Sequence, residues 1–182
     1  MLEKYAVIKA MKKILAFPNT KFSISRLAKE TGLAVSAASY SLEYMEGEGL
    51  VTKEVVGRTH LYKADLESFL ARQWKIVFSL QELHENRIVE KILSKMDNVS
   101  NILLYGSVAC GTDDEKSDID IIVIAEGRKK KAIDEATVGG RELNLAVYTP
   151  LEWKKKAENE KAFYDNAVTN SISLNGEKPV VL

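Results

Sequence analysis

Hydrophobic residues at helical spacing mark the beginning of the chain. Residues 5–17 place apolar side chains on one face, which predicts a first helix, and Pro18 and Asn19 follow as residues that end it. Ser23 is a suitable N-cap for a second helix, and Gly32 stands where a helix favours a C-terminal glycine. Two short helices are therefore predicted in the first 32 residues.

A third helix and a β-hairpin follow. Apolar residues at helical spacing predict the helix over residues 37–49, with Ser36 as its cap. Residues 50–56 and 59–65 then alternate between apolar and polar side chains, as strands do, around a Gly-Arg pair at 57–58. The pattern predicts three helices and a hairpin with a basic tip.

The next stretch, residues 66–96, contains no glycine or proline, and apolar residues recur through it at helical spacing. This pattern predicts either one long helix or two abutting helices, with the break in the polar stretch 81–87. Residues 66–97 are therefore predicted to form a helical connector.

The last part of the chain mixes strand and helix patterns. Strands are predicted over residues 98–105, 119–125 and 141–149, with a helical turn at 107–110, a basic helix over 127–136 and closing helices from residue 151. Gly139 and Gly140 suit a two-residue hairpin turn. These elements predict a small mixed sheet with helices against one face. The whole chain is then of the α+β class, with one domain at residues 1–65 and another at 98–182.

Charge differs between the two halves of the chain. Its 182 residues include 26 Lys/Arg and 26 Asp/Glu, but residues 1–75 hold 12 basic and 8 acidic residues, whereas residues 76–182 hold 14 and 18. A basic front half suits a polyanionic partner, and an acidic back half suits a cation. Cys110 is the single cysteine, no apolar run is long enough for a bilayer, and the N-terminus lacks a signal-peptide pattern. We expect a cytoplasmic protein with no membrane partner.

The strongest chemical signal lies between two predicted strands. Gly106 and Ser107 follow an apolar strand, where the glycine lets the backbone approach a ligand and the hydroxyl and nearby amides can bind a phosphate. Asp118 and Asp120 stand two residues apart, so both side chains point to one side of the next strand while Ile119 points into a core. Two carboxylates on one face can hold Mg²⁺.

This stretch, LLYGSVACGTDDEKSDIDIIVI, resembles the nucleotidyltransferase superfamily that includes polymerase β and the minimal nucleotidyltransferases. The matching positions are the glycine-serine turn, a second glycine and the aspartate pair with its serine: Gly106, Ser107, Gly111, Ser117, Asp118 and Asp120. The resemblance implies that Asp118 and Asp120 hold two Mg²⁺ ions and that Gly106, Ser107 and Ser117 bind a nucleoside triphosphate. It also implies transfer of a nucleotide to a hydroxyl group on a protein or a small molecule.

Two positions depart from that family. Its third carboxylate, on a later strand, falls on Asn144, and an amide binds Mg²⁺ more weakly than a carboxylate and cannot act as a base. Glu142 lies on the same strand face, about 7 Å along the strand, and is the candidate catalytic replacement. Cys110 stands where the family commonly has an arginine, which removes a positive charge.

Residues 3–65 resemble a winged helix-turn-helix domain, with SISRLAKETGLAVSAASYSLEYMEGEGLV as the most similar stretch. The resemblance implies DNA contacts from the third helix and the hairpin, through Ser36, Ala37, Ser39, Tyr40, Lys53, Arg58 and His60. It also implies a homodimer, for which the connector offers a contact surface. A protein-interaction module is the alternative, because the third helix carries no Lys or Arg to contact phosphates.

Two functional hypotheses follow from these resemblances. The first is a DNA-binding transcriptional regulator whose nucleotidyltransferase-like domain binds Mg²⁺ and a nucleoside triphosphate and can transfer a nucleotide to a hydroxyl acceptor. The second is a non-catalytic regulator that senses a nucleotide, or an interaction module with a degenerate nucleotidyltransferase fold.

Overall fold

The computed structural model describes residues 5–126 and 137–178. The chain divides into two units, Met1–Phe78 and Ser79–Leu182. The predicted basic helix at 127–136 lies outside the described residues. The predicted division into a domain at 1–65, a connector at 66–97 and a domain at 98–182 stays a prediction.

The first unit contains the three helices and the hairpin that the hydrophobic pattern predicts. Its elements are α1 (Ala6–Ala16), α2 (Ile24–Thr31), α3 (Val35–Gly47), β1 (Val51–Val56), β2 (Thr59–Ala64) and the first part of α4 (Phe69–Glu85). The strands are antiparallel, and Val56 pairs with Thr59 across a two-residue turn. The inward faces of these elements form one buried core, which includes Met11, Ile14, Phe22, Leu27, Leu42, Met45 and Tyr62.

Helix caps follow the sequence in α2 and differ from it in α3. The Ser23 hydroxyl accepts a hydrogen bond from the Arg26 backbone N–H, and Gly32 ends α2 in the left-handed conformation, which confirms both predicted caps. The prediction that Ser36 caps the third helix is wrong, because α3 begins at Val35 after Ala34 and has no side-chain cap. The start of α3 is exposed, so water can satisfy its first N–H groups.

The second unit is a five-stranded mixed sheet with helices. After the end of α4, its elements are α5 (Ile88–Lys95), β3 (Val99–Tyr105), α6 (Gly106–Cys110), β4 (Ile119–Ala125), β5 (Thr137–Val138), β6 (Arg141–Tyr148), α7 (Pro150–Asn159), α8 (Lys161–Asn170) and β7 (Ile172–Asn175). The strand order is β5-β6-β4-β3-β7. Strands β4 and β6 are parallel, and the other neighbours are antiparallel. Val138 pairs with Arg141, which confirms the two-residue turn at Gly139 and Gly140.

The break between α4 and α5 falls inside the predicted polar stretch. Helix α4 ends at Glu85 and α5 begins at Ile88, and Arg87 between them has a φ of 52°. This left-handed conformation is uncommon outside glycine, so it interrupts the helix without a glycine or proline. The alternative of two abutting helices is confirmed.

Both faces of the sheet are covered, which corrects the prediction of helices on one face. One face packs against the end of α4 and α5, through residues such as Leu83, Ile88 and Ile92. The other packs against α7 and α8, through residues such as Trp153 and Tyr164. From Ile121 to Ala125, strand β4 is buried on both sides because its residues are apolar at successive positions, as in strands with two covered faces.

The end of the described chain is a strand where closing helices alone were predicted. Strand β7 pairs with the edge of β3, with Leu104 opposite Ile172. The Ile-Ser-Leu-Asn sequence alternates over only four residues, so it continues the β pattern too briefly to be distinguished from a helix end. The prediction of helices for this segment is therefore correct for α7 and α8 and wrong for β7.

None of the helices that the structure describes is long and apolar enough to span a membrane. The predicted cytoplasmic location stays a prediction.

Candidate active site at the start of β4

Two carboxylates and one amide meet at the start of β4. Asp120 is the second residue of β4, and Asp118 immediately precedes the strand. The parallel register of β4 and β6 places Asn144 opposite Asp120. The Asn144 Nδ2 group donates to Asp118 Oδ2 at 3.2 Å and to Asp120 Oδ1 at 3.3 Å. Both carboxylates are therefore within hydrogen-bonding distance of one atom.

The alternation of β4 and β6 produces this arrangement. Ile119, Ile121 and Leu143 point into the core that packs on α5, as the sequence predicts. The neighbouring residues point to the other face, where Asp120 is half-buried and Asn144 is exposed. Asp118 is also exposed, so the carboxylate pair is accessible from solvent.

Gly106 brings the end of β3 into contact with the aspartate pair. Tyr105 pairs with Asp120 across β3 and β4, and Gly106 follows with a φ of 76°. A Cβ at this position would lie 2.8 Å from Asp120 Oδ2. A residue with a side chain would therefore be both strained and in collision with the carboxylate. The glycine is needed for the backbone to pass beside Asp120.

Asp118, Asp120, Asn144 and Gly106 together form what we call the carboxylate corner. Its electrostatics favour a cation. Burial raises the pKa of Asp120, the Asp118 carboxylate raises it further, and the hydrogen bond from Asn144 partly opposes the rise. Burial, followed by the charges of Asp120 and Tyr148, raises the pKa of Tyr105. Burial is the larger cause of both raised pKa values, and neighbouring negative charge adds to it; a bound cation would offset that charge.

The donor set fits a hard divalent cation. Carboxylate and amide oxygens are ligands that Mg²⁺ accepts, and Mg²⁺ usually keeps several waters beside one or two protein carboxylates. In residues 5–126 and 137–178, no group of three or more His, Cys, Asp and Glu side chains is positioned to hold a metal. Asp118, Asp120 and Asn144 are thus two carboxylates and a neutral third donor.

Glu142 lies elsewhere along β6. It is exposed, and its register partner is Thr137 of β5, whereas Asn144 is the residue opposite Asp120. The replacement of a third carboxylate by Glu142 stays a prediction.

The predicted phosphate-binding residues lie around α6 and the loop that follows it. Ser107 is the second residue of α6 and is partly buried, and its carbonyl accepts a hydrogen bond from the Thr112 N–H at 3.0 Å. The Ser117 hydroxyl donates to Asp114 Oδ1 at 2.9 Å and accepts from the Asp114 N–H at 3.0 Å. Ser117 therefore closes the loop before Asp118, and its predicted nucleotide contact stays a prediction. Cys110 is a free, exposed thiol at the end of α6.

A partly buried ion-pair cluster near this loop was not predicted from the sequence. Arg141 Nη1 donates to Asp113 Oδ2 at 2.8 Å, and Arg141 Nη2 donates to Glu82 Oε2 at 3.2 Å. Asp113 is 1% exposed, and the Arg141 side chain is 14% exposed. Asp113 and Glu82 lie 28 and 59 positions before Arg141 in the sequence, so no local motif indicates the cluster.

The residues predicted to contact DNA lie on exposed parts of α3, β1 and β2. Ser36, Tyr40, Lys53, Arg58 and His60 are exposed, and Ser39 and Ala37 are partly buried. Two of them have acidic partners. The Ser39 hydroxyl donates to Glu43 at 3.1 Å, and the Lys53 ammonium lies 3.2 Å from Glu46.

Residues 86–175 match the family model described as polymerase beta, nucleotidyltransferase. This match covers just under half of the chain and includes every residue of the carboxylate corner. Residues 86–175 of the second unit are therefore similar to a nucleotidyltransferase domain. No curated protein matches the chain. A solved structure with some similarity is that of Sso10a-2, a DNA-binding protein from Sulfolobus solfataricus, at 17% identity over 47% of this chain and 94% of that chain, with a TM-score of 0.36.

Proposed function

We propose that the second unit binds a divalent cation, Mg²⁺ by preference, together with a nucleoside triphosphate. It transfers the nucleoside monophosphate to a hydroxyl group of a protein or a small molecule: the hydroxyl oxygen bonds to the α-phosphorus and loses its proton, and pyrophosphate leaves. One observation carries the proposal. The Asp118 and Asp120 carboxylates both accept from the Asn144 amide, and the second oxygen of Asp120 lies against Gly106. A pair of accessible carboxylates that repel each other has no evident structural benefit.

Each residue of the corner has a role in this proposal. Asp118 and Asp120 hold the cation, and the Asn144 amide supplies a third, neutral oxygen donor. When bound, the cation neutralises phosphate charge and assists deprotonation of the attacking hydroxyl. Gly106 lets the backbone pass close beside Asp120 and approach the phosphates, and the Ser107 hydroxyl and backbone amides of this turn hydrogen-bond them. Ser117 supports Asp118 from the loop and contributes to the nucleotide site.

The neutral donor at 144 makes a non-catalytic version a real alternative. With two carboxylates rather than three, the domain would bind the cation and the nucleotide but lack the base that deprotonates the acceptor. Glu142 is the proposed base for the catalytic version. In the non-catalytic version, nucleotide binding would change the affinity of the first unit for its partner, and the coupling would be reciprocal.

The experiment for this proposal uses the full chain and α-labelled ATP with Mg²⁺. Binding is measured by filter retention, and transfer is measured as label on the protein or on added hydroxyl compounds. We expect Asp118→Asn and Asp120→Asn to abolish both signals, whereas Glu158→Gln, which removes an exposed carboxylate of α7, leaves them unchanged. Binding without transfer would support the sensor, and loss of transfer in Glu142→Gln would identify the base. The same assay is repeated with the other three α-labelled ribonucleoside triphosphates, and absence of binding for all four would refute both versions.

A second candidate function is DNA binding by the first unit, as part of a transcriptional regulator. The supporting observation is the succession of α2, a short turn and α3, followed by a hairpin whose exposed tip carries Arg58 and His60. Ser36 and Tyr40 on α3 would face the bases, and Lys53 would exchange Glu46 for a phosphate. Because α3 holds Glu43 and Glu46 and no basic residue, a protein-interaction role is the rival reading of the same surface.

Salt dependence separates the two roles of the first unit. The full chain is titrated against duplex DNA at several salt concentrations. If it binds through phosphates, affinity falls steeply with salt, and Arg58→Ala reduces the logarithmic slope by about 1. Lys161→Ala, which removes an exposed cation of α8, is the control. If the chain does not bind DNA even at low salt, DNA binding is refuted and the protein-interaction role of the first unit is favoured.

We also propose that the chain forms a homodimer through α4. Its N-terminal half exposes Phe69, Leu70 and Val77, with 69%, 39% and 42% of each residue accessible. Apolar side chains on one exposed helix are a usual contact surface between identical subunits. Light scattering should report a dimer for the chain and a monomer for Phe69→Glu, and a monomeric wild type would refute the proposal.

A further inference from the structure

The loop between α6 and β4 carries Asp118 and is internally braced. The Asp114 carboxylate accepts hydrogen bonds from the Lys116 N–H and from the Ser117 hydroxyl. At the start of the loop, the Thr112 N–H donates to the Ser107 carbonyl at 3.0 Å. These contacts shape the loop locally, but none of them attaches its middle to the strand that carries Asn144.

That attachment is the ion pair between Asp113 and Arg141. Asp113 is almost fully buried, and its Oδ2 accepts from Arg141 Nη1 at 2.8 Å. Arg141 is the first residue of β6, three residues before Asn144. Strand β6 therefore holds the loop through Arg141 and Asp113 and contacts its end through Asn144 and Asp118. Asp113 and Asp118 of the loop are thus both in contact with β6.

Arg141 is itself held by a second carboxylate. Its Nη2 donates to Glu82 Oε2 at 3.2 Å, and Glu82 packs against the β5-β6 turn, where a Cβ on Gly139 would collide with Glu82 Oε1. The planar guanidinium reaches two carboxylates in different directions, which an ammonium on a flexible stem does with less geometric precision. The fork of Arg141 is thus fixed by α4 on one side and by the loop on the other.

We propose that Arg141 is a positioning residue for the metal site, acting on Asp118 through Asp113. This inference rests on the proposed function, because it supposes that Asp118 and Asp120 bind a cation. It adds that the cation affinity depends on a residue that contacts neither carboxylate of the pair. Residues that orient metal ligands from behind change metal affinity by about 10-fold to 100-fold when removed.

The test compares variants of the full chain that keep or remove the Arg141 guanidinium, which contacts both Asp113 and Glu82. Arg141→Lys keeps the charge and loses the geometry. Arg141→Met leaves the buried Asp113 carboxylate without the guanidinium and can fail to fold, so Arg141→Met/Asp113→Asn, which removes both charges together, is the decisive variant. Lys161→Met removes an exposed cation from the same unit and is the matched control. Circular dichroism at the assay temperature shows which variants are folded.

Two measurements are made on the folded variants. Hydrogen-deuterium exchange of residues 112–118 without metal reports the loop alone, and Mn²⁺ binding, followed by electron paramagnetic resonance, reports the carboxylate pair. We expect faster exchange in this segment and Mn²⁺ affinity reduced about 10-fold in the double variant, with a smaller reduction in Arg141→Lys. The control should match the wild type in both. A merely structural role would lower the unfolding temperature but leave the Mn²⁺ affinity of the folded protein unchanged.

The two proposals fail in different ways. If the folded double variant binds Mn²⁺ within about twofold of the wild type, Arg141 does not position the site. If exchange of residues 112–118 is unchanged, the inference also fails, whatever the metal result. If the wild type binds no Mn²⁺ while the variants exchange faster, the proposed metal site is wrong and the anchoring of the loop by Arg141 stands.

Discussion

Asn144 faces Asp120 across the parallel pair of β4 and β6, and its amide donates to the Asp120 carboxylate at 3.3 Å. The same nitrogen reaches Asp118 at 3.2 Å. A neutral donor between two carboxylates lowers their mutual repulsion without adding charge. The amide therefore stabilises the carboxylate pair when no cation is bound, and it must turn its oxygen toward a cation when one is.

Replacing this amide by a carboxylate should lower the stability of the metal-free protein and increase the stabilisation that Mg²⁺ gives. In Asn144→Asp, three carboxylates share one corner, so we expect a loss of about 1–2 kcal/mol in the free energy of unfolding in the presence of EDTA. In saturating Mg²⁺, the variant should regain this loss and gain more from Mg²⁺ than the wild type does, because binding to the folded state stabilises it. Urea unfolding with and without Mg²⁺ measures both.

The control for that comparison is Asn166→Asp, which adds a carboxylate to an exposed position of α8. Its stability should depend on Mg²⁺ no more than that of the wild type. A smaller Mg²⁺ effect in Asn144→Asp than in the wild type would show that residue 144 does not face a bound cation.

The raised pKa of Asp120 predicts a pH dependence with a defined sign. The folded chain holds the Asp120 proton more tightly than the unfolded chain does, for which the ordinary value is 3.8. The group therefore contributes stability below that pH, and the contribution is lost as the pH rises through the folded-state pKa. In EDTA, Asp120→Asn should become more stable relative to the wild type as the pH rises, and the difference should level off above the folded-state pKa.

Urea unfolding of both proteins between about pH 3.5 and pH 7 measures this difference. The comparison between proteins is needed because Asp114 acts in the opposite direction. Backbone and side-chain hydrogen bonds from Lys116 and Ser117 lower its pKa, so its contribution is lost as the pH falls. A stability difference between Asp120→Asn and the wild type that does not change with pH would contradict the prediction.

Local sequence patterns predict most of the fold and the residues of the carboxylate corner. Strand β4 occurs over the predicted residues, because Ile and Val, which favour strands, occupy five of its seven positions. Side-chain alternation in β4 and β6 predicts correctly that Leu143, Leu145 and Val147 share the core face. These features depend on residues a few positions apart, which is the range that a periodic pattern describes.

Features that depend on distant residues are not predictable in this way. The Arg141 cluster joins α4, the α6-β4 loop and β6, and nothing near Glu82 or Asp113 in sequence indicates a shared arginine. Strand β7 depends on the free edge of β3, which exists only once the sheet has formed. The cover on both sheet faces likewise follows from the packing of α5 and of α7 with α8, not from any one helix pattern.

The break between α4 and α5 leads to a further prediction. Arg87 is not a glycine, yet its backbone is in the left-handed conformation, with a φ of 52°. Glycine adopts this conformation without the steric cost that other residues bear. We expect Arg87→Gly to raise the free energy of unfolding by up to about 1 kcal/mol and Arg87→Ala to leave it unchanged within about 0.5 kcal/mol. Thermal unfolding measures both, and a lower stability for the glycine variant would show that the Arg87 side chain contributes contacts of its own.

Alanine variants of Gly106 and Gly140 distinguish the effect of backbone strain from the effect of displacing Asp120. Gly106 and Gly140 have similar positive φ values of 76° and 82°, but a Cβ on Gly106 would lie 2.8 Å from Asp120 Oδ2, whereas a Cβ on Gly140 would meet nothing within 4 Å. Alanine at either position should cost about 1–3 kcal/mol of stability through strain alone. Only Gly106→Ala should also displace the Asp120 carboxylate. With both variants folded at the assay temperature, we expect Mn²⁺ affinity to fall about 10-fold in Gly106→Ala and to stay at the wild-type value in Gly140→Ala. Equal affinities in the two variants would mean that contact with Gly106 does not set the position of Asp120, and the role of this glycine would then be limited to the turn between β3 and α6.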